Sequence, residues 1–112
     1  MKIYHNPRCS KSRQTLQLIE ERGVSVEVIK YLEEVPTKEE LAAIISKLGI
    51  KPSQLIRKGE AIFKESFKGK ELSDDEWIEA MVANPKLIER PIVVKDNKAV
   101  LGRPPENVIE LL

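Results

Sequence analysis

A chain of 112 residues, with 41% hydrophobic and 33% charged side chains, is the size of one ordinary domain with one core and a well-solvated surface. Its 19 basic and 18 acidic residues leave a formal charge of +1, too weak a field to hold a polyanion, so nucleic-acid binding is not expected, although a local basic cluster could still take a small anion. The single cysteine excludes an internal disulfide and a cysteine-rich zinc site, and no apolar run approaches the roughly 18 residues of a membrane span.

Met1-Lys2-Ile3-Tyr4 runs into a strand with no apolar leader region, which points to a cytoplasmic protein whose thiol stays reduced. The first strand is expected over Lys2–His5, and Asn6-Pro7 breaks it because a residue before proline is pushed out of the helical region. A helix follows from near Ser10, with Leu16, Leu18 and Ile19 apolar, and Arg22-Gly23 ends it. Val24, Val26 and Val28 alternate with polar residues, the period of a strand. These pieces make a β-α-β unit with Cys9 at its first strand-to-helix turn.

Thr37 with Glu40 three residues on forms a capping box, followed by Leu41, Ile44, Ile45 and Leu48 at helical spacing and a stop at Gly49. Lys51-Pro52-Ser53 opens a second short helix reaching Leu55, Ile56 and Arg57, and residues 58–70 read as short helical turns and loops. Ser73 and Glu76 form another capping box, ahead of Trp77, Ile78, Met81 and Val82, and Asn84-Pro85 ends that helix. Pro91–Val94 and Ala99–Leu101 are strands joined through a hairpin turn at residues 95–98, where Asp and Asn tolerate positive φ. Gly102-Arg103-Pro104-Pro105 leads to a last short helix with Val108, Ile109 and Leu112. The order is β-α-β, a helical middle over about residues 36–86, then β-β-α. That is the order of the thioredoxin fold, an α/β class, and a single domain over residues 1–112 is expected. In that fold the proline opening the third strand, here Pro91, is often cis and faces the active-site turn.

Cys9 acts only as its thiolate, and an unperturbed thiol with pKa about 8.5 is mostly protonated at neutral pH. The start of a helix favours negative charge through its free N–H groups. Arg8, Lys11 and Arg13 lie close in sequence, and His5 could supply a hydrogen bond or a charge. A lone cysteine is commonly a small buried hydrophobe, but Asn, Pro, Arg, Ser and Lys are not core neighbours. Arg57, Arg90 and Arg103 stand in unusual places: at a helix end, before a proline, and between glycine and proline. Arginine suits a tetrahedral oxyanion because its planar fork gives two parallel bonds and never loses its charge. Several arginines converging on one thiolate would bind a doubly charged anion and stabilise charge on it during attack.

The stretches IYHNPRCSKSRQTL (3–16), IKYLEEVPTKEEL (29–41), LGIKPSQLIRKGE (48–60), LIERPIVV (87–94) and LGRPPE (101–106) resemble the glutaredoxin-dependent arsenate reductases of the thioredoxin superfamily, the ArsC family. The likeness covers nearly the whole chain, in the family's order. It implies that Cys9 is the nucleophile, that Arg57, Arg90 and Arg103 bind the oxyanion, and that His5 helps lower the thiol pKa. It further implies attack on arsenate, a covalent adduct resolved by glutathione, release of arsenite, and reduction of the mixed disulfide by a glutaredoxin. The residues support one part independently. Reducing arsenate takes two electrons, and a lone cysteine cannot end as an internal disulfide, so an outside thiol is needed. No metal or flavin motif is visible; neither a resident cofactor nor a metal is expected, and a monomer is.

Ser10-Lys11 departs from the smaller residues that arsenate reductases carry after the cysteine. Two other readings compete. Regulators of the Spx type share the fold and bind the RNA polymerase α subunit, but typically carry a Cys-x-x-Cys switch, and Ser12 stands where the second cysteine would be. A glutathione-dependent thiol transferase would keep Cys9 without needing three arginines.

Overall fold

A computed structural model describes all residues from Met1 to Leu112. The chain divides into two compact units, one made of Met1–Glu34 and Arg90–Leu112, the other of Val35–Glu89.

The first unit is a four-stranded sheet. Strands β1 (Lys2–His5), β2 (Glu27–Lys30), β3 (Ile92–Lys95) and β4 (Lys98–Leu101) lie in the order β2-β1-β3-β4. β1 is parallel to β2, with Ile3 opposite Val28, and antiparallel to β3, with Tyr4 opposite Ile92. β4 returns beside β3 with Leu101 opposite Ile92. The parallel pair requires a crossover, supplied by helix α1 (Ser10–Glu21). Ile3 and Val93, opposite each other on β1 and β3, bury against Ile19 of α1 and against Val108 and Leu111 of a closing 3₁₀ helix, Pro105–Leu111. The element order is the expected thioredoxin-like one.

Two local expectations change. The second strand begins at Glu27, so Val24 and Val26 lie outside it; they pack part-buried against the core instead. Gly23, at φ 71°, turns the chain after α1, and the stretch behind it must descend across the core before pairing can start. In the hairpin only Asp96 takes positive φ, at 53°, within a two-residue connection between Lys95 and Lys98. The peptide bonds Arg90-Pro91 and Arg103-Pro104 are both cis.

The second unit is helical. Helix α2 (Lys38–Leu48) starts on the Thr37–Glu40 capping box and ends on Gly49 in the left-handed conformation. Helix α4 (Asp74–Ala83) starts on the Ser73–Glu76 box. Between them run a 3₁₀ turn, Pro52–Leu55, and the short helix α3 (Ala61–Ser66), and a second 3₁₀ turn, Pro85–Leu87, follows α4. Leu41, Ile44, Ile45, Leu55, Trp77, Ile78, Met81 and Leu87 are among its buried residues. Arg57 does not end a helix as expected. It follows a bridge between Ile56 and Ile88, and its N–H donates to the Leu87 carbonyl at 2.7 Å. No helix of either unit is long and apolar enough to cross a membrane.

Gly102 is the tightest point of the first unit. Its N–H donates to the Pro91 carbonyl at 2.9 Å, and its own carbonyl accepts from the Thr15 hydroxyl at 3.1 Å. A Cβ there would lie 2.6 Å from Thr15 Oγ1 and 2.8 Å from Pro91 Cγ. Gly102→Ala should therefore lower stability by about 1–3 kcal/mol, read as a lower denaturant midpoint with an unchanged slope.

Candidate active site

The end of β1, the start of β3 and the end of β4 meet at one edge of the sheet, because Tyr4, Ile92 and Leu101 are paired in register. His5 closes β1, Arg90 stands just before β3, and Arg103 just after β4. The turn from β1 into α1 brings Cys9 to the same edge. Its geometry is local: the Asn6 carbonyl accepts from the Cys9 N–H at 3.0 Å, and Asn6 Oδ1 accepts from the Arg8 N–H at 3.0 Å. Arg13 reaches back to the Pro7 carbonyl at 2.9 Å.

Cys9 is the N-cap of α1, with extended backbone at φ −94° and ψ 122°. The residue is neither fully buried nor exposed, as a reacting thiol must be. Burial pushes the thiol pKa up. The N–H of Ser12, the Arg90 guanidinium as donor and as charge, and the N–H of Lys11 together outweigh burial, so the thiol lies below its ordinary value. The expected helix-start effect is therefore present. The flanking charges work differently from expectation: the cation at the sulfur is Arg90, brought from the start of β3, while Arg13 is turned to Pro7 and Lys11 contributes its backbone.

Arg90 is itself held. Burial disfavours its charge, but interactions with the Cys9 sulfur and with Tyr31 more than offset that, and its pKa is raised. Tyr31 is 1% exposed, so its ring is held in place beside Arg90. The Arg90 carbonyl accepts from Arg103 Nη1 at 3.4 Å, which sets the two arginines side by side.

His5 is buried, and its Nδ1 lies 2.6 Å from Ser12 Oγ. Burial, followed by the nearby charges of Lys30 and Arg13, lowers its pKa against a smaller opposing effect of Glu20. It is accordingly neutral at neutral pH and reaches the thiol through Ser12, whose Oγ also accepts from the Asn6 N–H at 3.0 Å. Ser12 and Tyr31 are the members of this cluster that sequence reasoning passed over. Ser12 was visible as the fourth residue of C-S-K-S, yet only as an absent cysteine.

Cys9, His5, Arg90 and Arg103 thus share one edge of the first unit. Arg57 belongs to the helical unit, where its Nε lies 3.6 Å from Glu60 Oε1 and its buried Nη1 has no hydrogen-bond partner.

A model of the ArsC family matches residues 4–111. The chain is 44% identical to an arsenate reductase of Neisseria meningitidis serogroup A, over all of this chain and 97% of that one. It is 41% identical to an arsenate reductase of Escherichia coli K12, over 98% of this chain and 79% of that one. Among solved structures, an arsenate reductase from Vibrio cholerae superposes with a TM-score of 0.95 at 50% identity, covering 100% of this chain and 98% of that one.

Removing the guanidinium should leave burial less opposed at the sulfur. In Arg90→Ala the pH profile of Cys9 alkylation by iodoacetamide should move to higher pH, with the rate at neutral pH falling roughly three- to tenfold.

Proposed function

The chain belongs to the ArsC family, and on that premise we propose that it reduces arsenate to arsenite through Cys9. The observation that carries this reading is the pairing of a thiol of lowered pKa with the Arg90 guanidinium, beside Arg103.

The Cys9 thiolate attacks arsenic and a sulfur–arsenic bond forms, while an arsenate hydroxyl takes a proton and leaves as water as its arsenic–oxygen bond breaks. Arg90 and Arg103 hold the oxyanion and its charge during this step, and the family resemblance implies the same work for Arg57. Two features favour the arginines for this work. Arg90 carries positive charge at the attacking sulfur, with Arg103 bonded to its carbonyl, and Arg57 keeps an unpartnered buried N–H suited to an anion. His5, neutral and bonded to Ser12, holds the turn whose N–H groups support the thiolate, which is a positioning role.

The electrons come from sulfur. A glutathione thiolate attacks the Cys9 sulfur of the adduct, and the sulfur–arsenic bond breaks with its electron pair passing to arsenic. Arsenite leaves, and the two sulfurs remain as a mixed disulfide. Two electrons have then moved from two thiols to arsenic, and a glutaredoxin restores Cys9. The absence of a second cysteine supports the outside thiol. Ser12 stands at the fourth position of the turn, with its hydroxyl engaged by His5 and the Asn6 N–H, which disfavours a two-cysteine regulatory switch.

The test is arsenate-dependent NADPH oxidation in the presence of glutathione, glutathione reductase and glutaredoxin. Turnover is expected for the native chain, none for Cys9→Ser, and a loss of roughly a hundredfold or more for Arg90→Ala. No arsenate turnover by a chain whose Cys9 alkylates readily would overturn the reading. Disulfide exchange indifferent to Arg90→Ala, in that case, would point to a thiol transferase.

A further inference from the structure

Beside the Cys9 turn lies a cavity of about 280 Å³ that the chemistry above leaves unused. It is close to the ~300 Å³ lower end of ligand clefts, room for one end of a larger molecule. Its lining is chemically specific. Arg8 and Lys30 bring two positive charges, Glu33 brings one negative charge, and Leu32 supplies an apolar wall although it is 38% exposed.

His5 also lines the cavity and is only 6% exposed. Its Nδ1 is taken up by Ser12, while its Nε2 makes no hydrogen bond within the protein and is left to meet what enters the cavity. The strands explain why these residues converge: His5 and Lys30 are direct partners at the ends of β1 and β2. The chain then turns immediately, with the Glu33 and Glu34 N–H groups both on the Lys30 carbonyl, at 3.0 and 2.8 Å, so Leu32 and Glu33 fold back over the strand ends.

We propose that this cavity binds the amino-acid end of the thiol co-substrate, a zwitterionic peptide thiol of the glutathione class. Arg8 and Lys30 take its carboxylate, Glu33 its α-ammonium, and His5 Nε2 an amide of its backbone. Two cations and one carboxylate match a ligand end that carries both signs, whereas arsenate offers negative charge only. The cavity is lined by His5, Asn6, Pro7 and Arg8, the four residues that lead into Cys9, so a tripeptide seated here lies beside the turn that carries the thiol. This inference rests on the thiol-dependent reading of Cys9.

The probe is S-methylglutathione, which cannot react, titrated into the full chain without arsenate. His5 is the chain's one histidine, so its ring resonances report the cavity unambiguously. The expected result is saturable binding that shifts the His5 ring signals, weakened about tenfold by Lys30→Glu and by Glu33→Lys. Both side chains are exposed, so the substitutions should leave the fold intact. In the coupled assay the same variants should raise KM for glutathione about tenfold while KM for arsenate stays within about twofold.

Binding that ignores both charge reversals, no binding at all, or an unmoved His5 signal would overturn the site. An unchanged KM for glutathione in a chain that does reduce arsenate would also overturn it and leave the proposed function standing. Charge-dependent probe binding by a chain without arsenate turnover would uphold the site while the arsenate reading falls.

Discussion

The contact that the first unit depends on is the closure of Gly102 onto Thr15 and Pro91. Three chain segments meet there with no room for a side chain: helix α1 through the Thr15 hydroxyl, the entry to β3 through the Pro91 carbonyl, and the exit from β4 through Gly102 itself. Cys9 leads into the first segment, Arg90 precedes the second, and Arg103 follows the third. A residue with a Cβ at position 102 would push these segments apart, and the two guanidinium groups would no longer share an edge with the sulfur. Thr15 is fully buried and its hydroxyl is shared between the Lys11 and Gly102 carbonyls, so the same side chain that stabilises the helix also fixes its distance from the sheet.

At this edge the electrostatics are a contest between burial and donation. Burial alone would make Cys9 an inert thiol. Its pKa falls because fixed groups oppose burial: two helix-start N–H groups and one guanidinium that itself lies beside a buried tyrosine. None of these partners needs to reorganise when the sulfur becomes charged, and that is the condition under which such donors are most effective. His5 joins the same network as a neutral ring. Its bond to Ser12 braces the turn, and its position beside Lys30 and Arg13 keeps it from carrying charge of its own.

Much of the local structure is legible in the chain because it depends on neighbours three or four residues apart. The Thr37–Glu40 and Ser73–Glu76 capping boxes form as their spacing requires, and Gly49 takes the left-handed conformation that ends α2. Elements whose limits are set by distant partners were read less well. The start of β2 depends on where β1 offers its edge, so an alternating valine pattern over residues 24–28 placed it too early. Arg57 looked like the end of a helix because Leu55 and Ile56 precede it, yet Ile56 pairs with Ile88, far along the chain.

The sequence by itself determined the β-α-β and β-β-α order, the helix starts, and the placement of the only thiol at a helix N-terminus, with no second cysteine to pair with it. Each follows from local spacing or from counting. Only the tertiary structure decided which cation meets the sulfur. Arg8, Lys11 and Arg13 are near Cys9 in sequence, but backbone geometry turns Arg13 to Pro7 and leaves Lys11 to donate its amide. Arg90, 81 positions away (90 minus 9), reaches the sulfur because β1 and β3 pair antiparallel and bring their ends together. Charge acts through space, and proximity in space is a property of the fold.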